Sequence, residues 1–173
     1  LLLLTGQRRS EVANMMWSEI ANDTWTIPAS KVKNGRQHEI PLSAAARQLL
    51  GKVPHTGDYV FMSGRSKSDN PVSGFSKAKK ILDIKVRDNG NSVDNWSYHD
   101  LRRTVRTHMS RIGVQSEVAE RVLNHARQGV EGIYDRHSYL EEKRSALDAW
   151  SGALSHILNG KSTGNVVDIS SQR

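Results

Sequence analysis

The chain has 173 residues, 36% of them hydrophobic and 25% charged, enough for one domain with its own core beneath a polar surface. Twenty-five Lys and Arg against 18 Asp and Glu give a net charge of +7, which favours a polyanionic partner, nucleic acid first and an anionic membrane surface second. The absence of cysteine excludes a disulfide framework and thiolate metal sites, and it fits a cytoplasmic protein. The opening Leu1-Leu2-Leu3-Leu4 is too short for a signal peptide and has no basic flank. It reads as the end of a buried helix, and the chain, opening on Leu rather than Met, as an excised fragment. No apolar run approaches the roughly 20 residues a membrane span needs.

Taken in chain order, Val12, Met15, Met16 and Ile20 carry helical spacing, with Ser10 and Glu11 near a helix start. Trp25 and Ile27 then alternate with threonines. Asn34-Gly35 is a two-residue hairpin signal, and 38–42 leaves as a second strand. Lys31, Lys33 and Arg36 crowd around that turn. Ser43 caps a helix through Leu50, and 51–74 is a loop around the apolar stretch 59–61. A basic helix from Phe75 to Ile84 and a polar loop at 88–91 follow. Ser97-Tyr98-His99-Asp100 has the form of a capping box, opening a helix that Gly113 closes. Leu101, Val105, Met109 and Ile112 form its apolar stripe, with His99, Arg102, Arg103 and Arg106 placed on the opposite side. Ser116 caps a helix that buries Val118, Ala119, Val122 and Leu123. Ser138 and Glu141 open a last helix with Leu147, Trp150, Leu154 and Ile157 inward. The domain is expected over 1–158, with 159–173 a polar, disordered tail.

The chemistry-bearing residues form an unusual set: Arg8, Lys33, His99, Arg102, His125 and Tyr134. Two arginines, a lysine, two histidines and a tyrosine suit phosphoryl transfer without a metal better than a zinc or carboxylate hydrolase. Guanidiniums hold non-bridging oxygens in bidentate fashion and stabilise developing charge. A phenol is a nucleophile once a neighbour takes its proton.

The spacing also resembles a known family. Thr5-Gly6-Gln7-Arg8-Arg9-Ser10-Glu11 resembles the first arginine box of the tyrosine recombinases of the phage-integrase family. Lys33, eight residues before Pro41, looks like the family's hairpin lysine. His99-Asp100-Leu101-Arg102 resembles its His-x-x-Arg box, and Leu123-Asn124-His125 its Leu-Gly-His box, with Asn124 where glycine is commoner. Tyr134, nine residues past His125, matches the nucleophile. The resemblance spans residues 1 to about 150, in the style of prophage or genomic-island integrases.

The resemblance implies a mainly helical α+β fold with a small antiparallel three-stranded sheet. It implies a 3′-phosphotyrosine at Tyr134, a phosphate clamp of Arg8 and Arg102, and Lys33 as general acid. His99 would take or share the nucleophile's proton, His125 would hydrogen-bond the phosphate, and Glu11 would brace the cluster. No metal, ATP or other cofactor is implied. The partner would be double-stranded DNA, with Arg9, Lys31, Arg36, Arg103 and Arg106 as further DNA contacts. The whole protein would work as a homo-tetramer on paired sites, the isolated domain as a monomer. Rival readings accompany these. Lys31 competes with Lys33 for the acid role, and Tyr139 with Tyr134 as nucleophile. The helix–Gly113–helix stretch over 99–125 also suits a non-catalytic helix-turn-helix module, and the same chemistry suits a type IB topoisomerase-like relaxing enzyme. His99, His108, His125 and His137 have no His-x₃-His pair on one helix, which argues against a metal site.

Overall fold

Residues 1–32, 34–63, 70–93, 95–125 and 138–160 are described by the computed structural model. Three short strands form an antiparallel sheet in the order β1-β2-β3: Ile20–Ala21, Thr24–Ile27 and His38–Pro41. The turn between β1 and β2 is Asn22-Asp23, with φ of 48° and 58°. Positive φ at both central positions is the type I′ geometry that matches strand twist, and Asn and Asp tolerate it best after glycine. This is the tight hairpin of the sheet. Asn34-Gly35, expected to be one, lies instead within a ten-residue connection, because Ile27 pairs with His38. Pro28 lacks the N–H to extend β2, and the chain turns through a 3-10 segment at Ala29–Lys31. Along β2 the burial alternates, so Trp25 and Ile27 face the core while Thr24 and Thr26 do not.

The opening segment departs from the single periodic helix suggested by Val12 to Ile20. α1 (Leu2–Thr5) ends at Gly6, whose φ is 67°, and α2 (Arg9–Ala13) starts after an extended Arg8. Met16 then bridges to Tyr59, and Ile20 enters β1. The break puts a bend of irregular backbone, residues 6–8, where a helix would have hidden it. α3 (Ala44–Leu50) is capped as expected, the Ser43 hydroxyl accepting from the Ala46 N–H at 3.4 Å.

α4 (Phe75–Asp88) buries none of its residues and leaves Ile81 and Ile84 about half exposed. It is held through its loop, where Phe75 meets Tyr98 edge-on and the Trp96 indole donates to Asp83 at 2.7 Å. α5 (Tyr98–Arg111) opens on the expected capping box: the Ser97 N–H and hydroxyl both donate to Asp100, at 2.8 and 2.7 Å. Those bonds hold the Asp100 carboxyl below its usual range. Val105 and Met109 are fully buried. α6 (Ser116–Val122) is capped by Gln115 rather than Ser116, and it buries Val118, Ala119 and Val122 as its periodicity predicts.

α7 (Leu140–Leu158) starts at Tyr139 and packs across β3, α6 and α1. Leu147 and Trp150 are buried, but Ile157 is 49% exposed because the helix runs past the edge of the core there. Two polar contacts pin α7: the Lys143 ammonium donates to the Glu39 carbonyl at 2.7 Å, and the Trp150 indole to the Leu3 carbonyl at 2.6 Å. The core thus joins one face of the sheet (Trp25, Ile27, Ile40) to the apolar stripes of α5, α6 and α7. No helix among the described residues is long and apolar enough to cross a membrane.

Candidate active site

The bend at residues 6–8 is where the site begins. A Cβ added at Gly6 would meet Leu123 Cδ2 at 2.8 Å and Val105 Cγ1 at 3.1 Å. Glycine is required there both for its left-handed φ and for this close approach to α5 and to the residue ending α6. Gln7, buried, donates from Nε2 to the carbonyls of Thr5 and Val122, both at 2.8 Å. Arg8 follows as the N-cap of α2. Glu11 holds it twice, accepting from its backbone N–H and from its guanidinium, each at 2.8 Å. Glu11 is itself buried, so the half-buried Arg8 side chain has a fixed direction.

Arg102 arrives from α5. The sequence places it on the side opposite the apolar stripe, yet it is only 4% exposed. It lies one residue beyond Leu101 and two turns before Met109, which puts it on the flank of the apolar stripe rather than opposite it. Its guanidinium donates to the Gly6 carbonyl at 2.8 Å and to the Leu123 carbonyl. Burial, and next the charge of Arg8, lower its pKa to about 10, so it stays cationic at neutral pH. Two guanidiniums from distant parts of the chain are thereby brought to one place. An anion between them relieves their mutual repulsion.

The cleft they share is open, with a volume of about 310 Å³, and Arg9, Ser10, Ser97 and His99 also border it. His99, in the first turn of α5, is exposed. His125 stands just past α6 and is also exposed. Its Nδ1 pairs with the Glu120 carboxylate, which accepts from Arg106 Nε at 2.7 Å as well. Partial burial pushes the Glu120 carboxyl upward, but these hydrogen bonds outweigh it and the net direction is downward. The other Arg106 nitrogens donate to Ser110 and Ser116, so this side chain knits α5 to α6. Arg103 is mostly exposed, with one ion pair among the described residues, to Asp100 at 3.0 Å, and Arg9 lies over the Phe75 ring at 4.8 Å. Arg36 is exposed on the β2–β3 connection.

Lys31 borders a neighbouring depression with Ser10 and Glu11, where it pairs with Glu19 and reaches the Asn14 carbonyl at 3.4 Å. Tyr139 is the N-cap of α7, its ring covered by the Arg121 guanidinium at 3.5 Å, which makes it a packing residue. Lys33 and Tyr134, like His137, lie outside the described residues. Among the described residues no cluster of three or more His, Asp or Glu could hold a metal ion.

Three residues of this region escape a reading of motifs. Gln7 is masked by the arginines beside it. His38 holds an inward position of β3, its Nε2 3.2 Å from the Val122 carbonyl that Gln7 also bonds. Burial, then the charge of Lys143, push its pKa down to about 3, so it is neutral. The strand alternation that buries Ile40 also buries His38, and that was the available signal. Glu120 had none, since its partners come from α5 and from beyond α6.

The phage integrase family model matches residues 1–141. The chain belongs to this family. Among curated relatives, it is 30% identical to Prophage integrase IntZ of Escherichia coli (strain K12), over 92% of this chain and 39% of that protein. The chain therefore spans about two fifths of that relative's length. Among solved structures, the integrase from mycobacterium phage Brujita superposes with a TM-score of 0.62 at 18% identity, over 86% of this chain and 49% of that one. The Tn1549 transposon integrase, solved in complex with circular intermediate DNA, gives a TM-score of 0.56 at 15% identity, over 83% of this chain and 54% of the other. These similarities show a tyrosine-recombinase fold, mainly helical with a small antiparallel sheet, as the sequence implied.

Proposed function

We propose that this chain is the catalytic domain of a site-specific DNA recombinase of mobile DNA, cutting and rejoining duplex DNA through Tyr134. The observation that carries the reading is the convergence of Arg8, Arg102 and His99 on one open cleft, with Glu11 holding Arg8 in place. The Tyr134 phenolate oxygen attacks the scissile phosphorus and the P–O5′ bond breaks, leaving a 3′-phosphotyrosine and a 5′-hydroxyl. The phenolic proton passes to or is shared with His99, and Lys33 supplies a proton to the leaving 5′-oxygen. Arg8 and Arg102 hold the non-bridging oxygens as charge builds. His125, its Nδ1 engaged by Glu120, offers Nε2 to the phosphate. The phosphodiester energy is retained in the protein–DNA bond, so rejoining needs no ATP and no metal. Arg9, Lys31, Arg36, Arg103 and Arg106 would add contacts to the DNA backbone.

The helix-turn-helix reading fares worse. α6, which would be the groove-reading helix, is buried on one side, gripped by Gln7 and His38, and carries Glu117 and Glu120 in its outer turns. Carboxylates there oppose a phosphate backbone. In the whole protein we place the domain in a homo-tetramer on paired sites in the cytoplasm of a bacterial host. Relaxation of supercoils without strand exchange between two sites would instead mark a type IB topoisomerase-like enzyme.

The deciding experiment uses cognate DNA nicked beside the cleavage position, so that the cut fragment diffuses away. The wild-type protein should accumulate a covalent adduct that survives denaturant, and Tyr134→Phe should form none. An adduct of undiminished yield in Tyr134→Phe refutes the assignment.

A further inference from the structure

Gln7 and Arg102, which both line the cleft, bond the same two stretches of main chain. One is Thr5-Gly6 at the end of α1, the other Val122-Leu123 at the end of α6. The Gln7 amide nitrogen donates to the Thr5 and Val122 carbonyls, each at 2.8 Å. The Arg102 guanidinium donates to the next carbonyl of each stretch, that of Gly6 at 2.8 Å and that of Leu123. The two side chains are thus adjacent rungs between the stretches. The stretches also touch directly, since a Cβ on Gly6 would lie 2.8 Å from Leu123 Cδ2.

The choice of glutamine has a physical reason. A primary amide carries two N–H donors on one nitrogen, so it serves both carbonyls without adding a further charge beside Arg8 and Arg102. It does so at a cost. Gln7 is 1% exposed, and its Oε1 has no hydrogen-bond partner among the described residues, a penalty that an apolar side chain would avoid. Nor is Gln7 needed merely to satisfy the Val122 carbonyl, because His38 Nε2 stands 3.2 Å from the same oxygen. What Gln7 alone supplies is the link between the two stretches.

From this geometry we infer that Gln7 is a positioning residue for Arg102. By fixing the separation of the stretches it fixes the separation of the two carbonyls that hold the guanidinium, and so aims the remaining N–H donors at a phosphate in the cleft. The inference rests on the reading of Arg102 as a phosphate clamp; Gln7 itself touches no DNA. A guanidinium is a rigid fork, so a change in that separation breaks one bond or tilts the plane. Misplacement of a reacting or clamping group by roughly 1 Å costs up to about a hundredfold in rate.

A methylphosphonate at the scissile position isolates this effect. Its methyl group replaces one non-bridging oxygen and removes the negative charge that the guanidiniums balance, so reaction there depends less on Arg102. Adduct formation is measured in the whole protein on phosphodiester and methylphosphonate DNA, with Gln7→Met, Arg102→Lys and the double variant. Methionine keeps the length of glutamine without its donors. Thermal melts keep every assay below the unfolding transition, and Gln7→Asn, one methylene too short to span both carbonyls, stands in if Gln7→Met does not fold. On phosphodiester DNA Gln7→Met should be slower by about tenfold, the scale of one hydrogen bond. The double variant should be no slower than Arg102→Lys, because an ammonium has no fork to aim. On methylphosphonate DNA Gln7→Met should lie close to wild type. A Gln7→Met rate equal to wild type on phosphodiester DNA, equal slowing on both linkages, or slowing that adds to that of Arg102→Lys would overturn the inference. Without adduct on methylphosphonate DNA, additivity alone decides. If Arg102→Lys slows both linkages alike, the clamp reading fails and the inference with it. If the wild-type protein forms no adduct on phosphodiester DNA, the functional reading itself fails.

Discussion

The floor and the rim of the cleft carry similar residue types under opposite conditions. The floor consists of Gln7 and Arg102, which line the cleft, with His38 behind them on the Val122 carbonyl that Gln7 also bonds; all three are buried and bonded to main-chain carbonyls of α1's end or α6's end. The rim is the exposed set: Arg9 and His99 border the cleft, and Arg103 on α5 and His125 just past α6 lie outside its lining. A buried donor that satisfies a carbonyl is costly to remove because it strands its partner, whereas an exposed one is replaced by water. The floor should therefore govern stability and geometry together, and the rim only the encounter with DNA.

Substitutions at three residues test that division. Arg102→Ala should have the largest effect: about 2–4 kcal/mol of stability lost in urea denaturation, from two orphaned carbonyls and an emptied space, together with loss of the covalent adduct. Arg102→Lys retains the charge but not the fork, and should recover only part of either.

His38 offers a pH-dependent test. Its folded pKa of about 3 lies below the ordinary 6.5, so the unfolded chain takes up a proton first as pH falls. Its contribution is complete above pH 6.5 and is lost progressively between there and pH 3. Stability at pH 5 should be lower than at pH 7.5 by roughly 2 kcal/mol on this account. His38→Gln, which can still donate to the Val122 carbonyl, should flatten that part of the profile. An unchanged profile would remove His38 from the floor.

The smallest effect is expected at the rim. Arg103→Ala should leave the melting temperature nearly unchanged, since its ion pair with Asp100 is exposed. It should reduce the salt slope of DNA binding by about one. A destabilisation comparable to that of Arg102→Ala would erase the distinction between floor and rim.

Much of this was legible in the sequence, for reasons that differ by residue. The capping box at Ser97 and Asp100, the Ser43 cap and the buried stripes of α5 and α6 follow from local rules and appear as expected. Arg8, His99 and Arg102 were named from motif order, and the fold brings them to one cleft. The depth of Arg102 was misjudged because a charged residue was assigned to the polar side, although its helical phase puts it beside Met109. The β2–β3 connection was misread because Asn34-Gly35 is a strong local signal. The actual register is decided by Trp25 and Ile27 pairing with Ile40 and His38, a non-local matter. Gln7 and His38 act through a backbone partner far along the chain, and Glu120 through side chains of α5 and of the residue past α6, which no single-sequence periodicity encodes.

The bond from Trp150 to the Leu3 carbonyl joins the last helix to the first across 147 residues of sequence. Closing so long a loop is entropically slow, and little of it is rewarded until the far end arrives. The arginine-bearing bend that follows α1 is thus braced, through Leu3, from the far end of the domain. A cut or deletion that removes α7 should therefore loosen this bend as well as open the core.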